Sequence, residues 1–288
     1  MHKNKSFYGI IGYPVEHSLS PLMHNAAFAE LEVDAEYKLY SLKEDEIDEF
    51  FEKLRDKKSS IFGLNVTVPY KEKVLQYLDT LTPFAQKVGA VNTIVITEER
   101  KLIGYNTDAP GFMAHLTELK FDTTGKRIAL LGAGGSARAI LATLCMIKER
   151  PESIKIYNRT TSRVDQLLDD LSERIDMSIV GPVMSVDDLN IELVDLIINT
   201  TSMGMNKNDP CLIDQDLLHS DMLVYDLVYN PPETTLLRLA SEVGAQTSNG
   251  LGMLYYQGVL AFQHWANIQL SDDIKNIMRQ SLEEGACG

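Results

Sequence analysis

Two groups of residues in this chain have the types and spacing that chemistry needs. The first is the run RIALLGAGGSAR at residues 127–138. Its first five residues are an apolar stretch of strand type, Gly132-Ala133-Gly134-Gly135 is a tight turn, and residues 136–148 have helical spacing. A strand, a glycine turn and a helix N-terminus present backbone N–H groups to a pyrophosphate, here through Gly132, Ala133, Gly134, Gly135 and Ser136. The next strand, residues 154–157, ends in Asn158-Arg159-Thr160-Thr161-Ser162-Arg163. A free ribose 2′-hydroxyl wants an Asp or Glu acceptor there, whereas arginines suit a 2′-phosphate. The expected cofactor is therefore NADP rather than NAD.

The second group lies upstream. Asn65-Val66-Thr67-Val68-Pro69-Tyr70-Lys71 alternates polar and apolar residues, so Asn65 and Thr67 share one face at the carboxyl end of a strand, where ligands of open α/β sheets sit. Lys71 follows within one turn and reads either as a surface charge or as an acid–base group. Asn92 and Asn106-Thr107-Asp108 repeat the theme of short polar groups at element ends, with Asp108 equally readable as a helix cap. Ser18-Leu19-Ser20-Pro21 has a natural cap in Ser20 and a natural first helical residue in Pro21. Ser18 is less well explained by capping, and two hydroxyls at a helix N-terminus make a carboxylate site. His24 reads as a packing residue.

These groups must be held by alternating strands and helices. Strand patterns fall at residues 7–12, 36–42 and 61–68, helical ones at 20–32 and 45–55, and Pro69-Tyr70-Lys71 opens a short helix. Residues 93–97 and 101–105 flank Glu98-Glu99-Arg100 as a hairpin. A helix follows from Asp108 to about 119, and 121–125 read as a linker. Strand-like runs recur at 154–157, 195–199, 223–227 and 246–248, with helices at 162–175 and 232–243. Residues 253–266 are apolar nearly all round, hence buried, and 272–284 are amphipathic. The expected architecture is α/β: an N-terminal α/β substrate domain (1–107), a doubly wound Rossmann NADP-binding domain (108–252), and C-terminal helices (about 253–288) packing back on the first domain.

The chain has 288 residues and a net charge of −14, which argues against nucleic acid or an anionic membrane as partner. Its three cysteines (Cys145, Cys211, Cys287) show no metal spacing, and its six histidines (His2, His17, His24, His115, His219, His264) show no ligand spacing, so no metal is expected. The start of the chain lacks a signal-peptide pattern, and a cytoplasmic location is the expectation.

Taken in order, SLSP, NVTVPYK, GAVNT, NTD, GAGGSAR, NRT, NTTSMGM, VYNP and NGLGMLYYQ resemble the shikimate dehydrogenase family over residues 9–265. Each motif alone is weak; their order and spacing are specific. The resemblance implies NADPH-dependent reduction of 3-dehydroshikimate to shikimate, on the route to chorismate and the aromatic amino acids. It implies that Lys71 and Asp108 are the catalytic pair. It further implies that Ser18 and Ser20 hold the substrate carboxylate, that Asn65, Thr67, Asn92 and Gln257 ring the hydroxyls and reacting carbon, and that Tyr229 closes over the carboxylate end. The turn Gly132 to Ser136 matches the pyrophosphate loop, Asn158, Arg159, Thr160 and Arg163 the 2′-phosphate loop, and Leu227 and Gly250 the contacts near the nicotinamide. The chain departs from the pattern at GGSAR (for GGASR), Leu227 (for Met), Asn249 (for Asp) and Pro83 (for an acidic residue). Two other readings remain: a paralogue acting on quinate or another cyclic hydroxy acid, with NAD or NADP, and a nucleotide-binding sensor without turnover. Retention of both Lys71 and Asp108 argues against the sensor. A monomer or a homodimer fits equally.

Overall fold

The structure is a computed structural model that describes residues 5–206 and 208–287, the last of these by its backbone only. His2 lies outside the described residues. Contacts divide the chain into two compact units, one running to Gly111 and resuming at Leu254, the other Phe112–Met253. The division falls inside the helix that opens at Asp108, so Asp108 itself belongs to the first unit rather than to the second as expected.

In the first unit the elements run β1 (Ser6–Gly12), α1 (Ser20–Glu30), β2 (Ala35–Ser41), α2 (Ile47–Arg55), β3 (Ile61–Val66), β4 (Thr80–Leu81), α3 (Pro83–Val88), β5 (Thr93–Ile96), β6 (Leu102–Tyr105) and the start of α4 (Asp108–Glu118). The sheet order is β2-β1-β3-β5-β6-β4. β1 pairs in parallel with β2 and β3, whereas β5 runs antiparallel to β3 and β6. The expected hairpin is β5–β6, turned by Arg100 in the left-handed region at φ 64°. Ile11, Phe51, Leu64, Val66, Ile94 and Leu102 form the core on one side.

The second unit contains β7 (Arg127–Leu131), α5 (Gly135–Met146), β8 (Ser153–Tyr157), α6 (Thr161–Ser172), β9 (Val180–Pro182), β10 (Leu196–Asn199), β11 (Leu223–Asp226), α7 (Thr235–Glu242) and β12 (Gln246–Ser248). Its sheet is parallel throughout, in the order β12-β11-β10-β7-β8-β9. The chain starts at β7, winds out through β8 and β9, then returns to β10 on the other flank. That reversal puts the topological switch at the carboxyl end of β7, where the glycine turn lies.

The last helices are α8 (Leu251–Ala266) and α9 (Asp272–Cys287). From Leu254 onward they pack within the first unit, as their apolar surface requires. The Trp265 indole donates to the Ile94 carbonyl at 3.0 Å, and α9 lies along α1. Among the described residues no helix is long and apolar enough to cross a membrane.

Three local expectations are corrected. Ser20 does not cap α1: it is the first helical residue, Leu19 before it provides no side-chain cap, and the Ser18 hydroxyl accepts the Ser20 N–H at 3.3 Å instead. Residues 69–71 do not open a helix, because the Tyr70 N–H closes a turn onto the Thr67 carbonyl and a short 3₁₀ segment begins only at Lys73. Asp108 does not cap its helix, since its carboxylate is engaged elsewhere.

Candidate functional site

Lys71 and Asp108 stand 37 residues apart in sequence, yet the Lys71 ammonium donates to Asp108 Oδ2 at 2.6 Å. Both are buried, at 8% and 5% exposure. The pair forms because Lys71 follows the β3 strand end while Asp108 follows β6, and β5 lies between these strands. The segment joining α3 to β5 sets the height of Lys71, whose carbonyl accepts the Val91 N–H at 2.8 Å.

Asn92 completes the cluster. Its Nδ2 donates to Asp108 Oδ1 at 2.8 Å and to Thr107 Oγ1 at 2.9 Å, and its Oδ1 accepts the Thr107 N–H at 2.7 Å. Both carboxylate oxygens of Asp108 are thereby held, one by an ammonium and one by an amide. Asn92 Nδ2 also reaches Gln257 Oε1 of α8 at 3.4 Å, while Gln257 Nε2 donates to the Leu254 carbonyl at 2.8 Å. Asn65 Nδ2 donates to the Asn92 carbonyl and to Thr93 Oγ1, each at 3.2 Å, and its Oδ1 accepts from the Tyr37 hydroxyl at 2.7 Å. The structure thus joins Lys71, Asp108, Asn92, Asn65 and Gln257 in one buried network. It adds Tyr37 and Thr93, which the sequence reading does not single out. Alternation along β2 would have put Tyr37 on an inward face, but nothing in the sequence says that its hydroxyl meets Asn65.

Ser18 and Ser20 stand at the start of α1, where the Ser18 hydroxyl accepts the Ser20 N–H, and Thr67 follows the end of β3. The loops after β1 and β3 run together: the Tyr13 N–H donates to the Val68 carbonyl at 3.0 Å and the Thr67 N–H to the Ile11 carbonyl at 2.9 Å. A pair of hydroxyls at the α1 N-terminus and a fixed ammonium suit an anionic, hydroxylated small molecule.

The second unit gathers the residues expected to hold a dinucleotide at the carboxyl ends of its strands. Gly132 has φ 109°, a conformation that L side chains rarely adopt, and a Cβ there would meet Thr200 Oγ1. α5 opens at Gly134, which offers no side-chain cap and whose missing side chain faces open space. A helix N-terminus without a side-chain cap suits a pyrophosphate, and Ser136 lies in this first turn. Past β8, Asn158 Nδ2 donates to the Thr160 carbonyl at 2.9 Å and shapes the loop. Arg159 and Arg163 in that loop are exposed and have no ion-pair partner among the described residues. Leu227 follows β11, and Gly250, just past β12, lies so close to it that a Cβ would overlap the Leu227 carbonyl. Ala133 and Tyr229 are half-buried; Tyr229, expected at the substrate, belongs by its contacts to this second unit.

The family model for the shikimate dehydrogenase substrate binding domain matches residues 10–94. The chain is 40% identical over 281 residues to the shikimate dehydrogenase (NADP(+)) of Methanopyrus kandleri, covering 96% of this chain and 94% of that one. The crystal structure of shikimate dehydrogenase from Aquifex aeolicus superimposes with a TM-score of 0.86 at 34% identity, over 98% of this chain and 99% of that one. Quinate dehydrogenase from Corynebacterium glutamicum, solved in complex with NAD, gives a TM-score of 0.86 at 28% identity, over 97% and 99% of the two chains.

Proposed function

This chain belongs to the shikimate dehydrogenase family, and we propose that it catalyses the reversible NADPH-dependent reduction of 3-dehydroshikimate to shikimate, in chorismate and aromatic amino-acid biosynthesis. The observation that carries this is the buried Lys71–Asp108 pair braced by Asn92. In this reading the first unit binds the substrate and the second, 112–253, binds NADP. When bound, NADPH supplies a hydride to the carbonyl carbon of the substrate.

The residues of the chain do the rest. Reduction of a ketone leaves negative charge on oxygen, and Lys71 gives that oxygen its proton; in the reverse direction Lys71 takes the proton back. Asp108 holds the ammonium in place, and Asn92 keeps the carboxylate from turning away. Little reorganisation is then needed as charge develops. Ser18 and Ser20 hold the substrate carboxylate, Asn65, Thr67 and Gln257 the ring hydroxyls, and Tyr229 the carboxylate end. Gly132, Ala133, Gly134, Gly135 and Ser136 take the pyrophosphate. Asn158, Arg159, Thr160 and Arg163 take the 2′-phosphate, and Leu227 and Gly250 flank the nicotinamide. The protein works in the cytoplasm, as a monomer or a homodimer.

The likeness to a quinate dehydrogenase solved with NAD makes quinate oxidation the second reading. Arg159 and Arg163, exposed and without an ion-pair partner among the described residues, favour a 2′-phosphate and hence the first. One assay separates them: purified protein with shikimate or quinate and with NADP+ or NAD+, following absorbance of the reduced nicotinamide. Shikimate with NADP+ is the expected productive pair. Preference for quinate with NAD+ would overturn the assignment, and no turnover with any pair would favour the sensor.

A further inference from the structure

Asp226 is the last residue of β11, is fully buried, and has no part in the reaction described above. Three donors converge on it. Its Oδ1 accepts from Asn199 Nδ2 at 2.9 Å and from the Val228 N–H at 3.0 Å, and its Oδ2 accepts from Thr234 Oγ1 at 2.7 Å. The donors come from two connections at the carboxyl edge of the parallel sheet: Asn199 from the end of β10, Val228 and Thr234 from the two ends of the loop between β11 and α7.

Asn199 ends β10 and organises the residues after it. Its Oδ1 accepts from the Thr201 N–H at 3.1 Å and the Thr201 hydroxyl at 2.7 Å, and its Nδ2 also reaches the Met203 carbonyl at 3.1 Å. Thr200, next in line, donates from its hydroxyl to the Leu131 carbonyl at 2.6 Å and fills the space beside Gly132. The glycine turn is thus backed by the loop that Asn199 shapes. On the other side, Val228 sits between Leu227 and Tyr229, and its carbonyl accepts the Gly250 N–H at 3.3 Å. Thr234 also caps α7, accepting the Leu237 N–H at 3.3 Å. One buried carboxylate therefore ties together the loops after β7, β10, β11 and β12.

We infer that Asp226 is a positioning residue for the dinucleotide, fixing these four loops in the single arrangement that binds it; this rests on the reading that the loops hold NADP. Burial of an acid among three donors is a poor way to gain stability, since an apolar group of the same size costs less to desolvate. Desolvation pushes the Asp226 carboxyl up to about 6, so the fold gains little from its charge. What an apolar residue cannot do is accept from an amide, a main-chain N–H and a hydroxyl at once. The arrangement uses Asp226 for its acceptor geometry. An asparagine keeps most of that geometry: its Oδ1 can serve Asn199 and Val228, and its amide can donate to Thr234 Oγ1, which has a second lone pair free to accept.

The test compares the full-length wild type with Asp226→Asn, Asp226→Leu and Thr234→Val. NADPH affinity is read by titrating nicotinamide fluorescence, with KM for shikimate and the thermal midpoint measured beside it. Asp226→Leu is expected to weaken NADPH about tenfold or more, as expected when buried donors lose their acceptor. Its KM for shikimate should stay within about twofold, because uniform binding of the other substrate is untouched. Asp226→Asn is expected to bind NADPH nearly as well as the wild type. Should Asp226→Leu fail to fold, Thr234→Val still removes one of the three bonds, and a several-fold loss of NADPH affinity is expected. Unchanged NADPH affinity beside a lowered midpoint would reduce Asp226 to a stability role and overturn the inference. So would equal damage from Asp226→Asn and Asp226→Leu, or a parallel loss of affinity for shikimate. A wild type that binds no NADPH overturns the cofactor assignment and this inference together, whereas tight binding by wild type and variants alike overturns this inference alone.

Discussion

In the first unit Lys71 and Asp108 are buried and held at 2.6 Å, with a third side chain fixing the free carboxylate oxygen. In the second unit Arg159 and Arg163 are exposed, and α5 opens without a side-chain cap. On the proposed function the two regions solve different problems. Proton transfer needs two groups kept at fixed distance and shielded from water, so the protein satisfies them from within. Capture of phosphates needs donors left unsatisfied until the ligand arrives, so the protein supports the loops from beneath and leaves their tips open. Within the second unit the bracing lies under the loops, at Asp226 and Asn199, rather than in the groups proposed to take the phosphates.

The sharpest way to break this contrast is at Lys71. A positioned acid or base contributes about 10²–10⁴ in rate, or roughly 3–5.5 kcal/mol of barrier. Lys71→Ala is expected to lower kcat by that order with a smaller change in KM for shikimate. Lys71→Arg should not rescue, because a guanidinium keeps its proton at working pH. Asp108→Asn should also be slow, and the double variant little worse than the worse single one if the pair acts as a unit. A Lys71→Ala enzyme with raised KM and intact kcat would make the lysine a binding residue.

Arg159 tests the other half. Loss of a charge-assisted hydrogen bond costs roughly 1.5–3 kcal/mol, about ten- to a hundredfold in affinity. Arg159→Ala is expected to weaken NADPH by that factor and leave NADH nearly unchanged, with kcat at saturating cofactor close to wild type. Equal weakening of both dinucleotides would show the arginine to be structural and remove the contrast between open and internally satisfied groups.

The two regions were also unequally legible. The glycine turn and its flanking strand and helix are local patterns, and the arginines stand out because an acid is expected in their place. Both are read from neighbours in sequence. The Lys71–Asp108 pair has no such signal: β3, β5 and β6 must assemble before the two meet, and only the family resemblance brought them together beforehand. Tyr37 and Thr93 were missed for the same reason, since a hydroxyl on a strand shows nothing of its cross-sheet partner. Local rules misled at Ser20 and Asp108, where a capping residue type met a helix start but the chain used the side chain elsewhere. β4, β9 and α3 escaped notice because two or three strand residues, or one and a half helical turns, carry no period.

The smallest effect concerns how the first region is backed. His24 lies on α1, fully buried, stacked on Tyr37 at 4.5 Å between ring centroids and packed near Phe262 and Trp265. Neither ring nitrogen has a hydrogen-bond partner among the described residues. Burial alone holds its pKa down to about 3 from the ordinary 6.5. The unfolded chain therefore takes up a proton that the folded one refuses: the stability linked to His24 is full above pH 6.5 and is lost as pH falls toward 3. Between about pH 7 and pH 5 this amounts to roughly 2 kcal/mol. Asp226 acts in the opposite sense, because its raised pKa makes the folded chain hold a proton between 3.8 and about 6, so its share of stability grows as pH falls through that window. The two slopes partly cancel in the wild type, and only a difference separates them. His24→Phe keeps an aromatic ring against Tyr37, which still holds Asn65, so kcat is expected to stay near wild type. Denaturant unfolding at several pH values should show the His24→Phe variant losing less stability on acidification than the wild type. If both lose stability in parallel from pH 7 to pH 5, His24 is already protonated or already solvated in the folded chain, and the aromatic packing behind Tyr37 and Asn65 is not as the structure describes it.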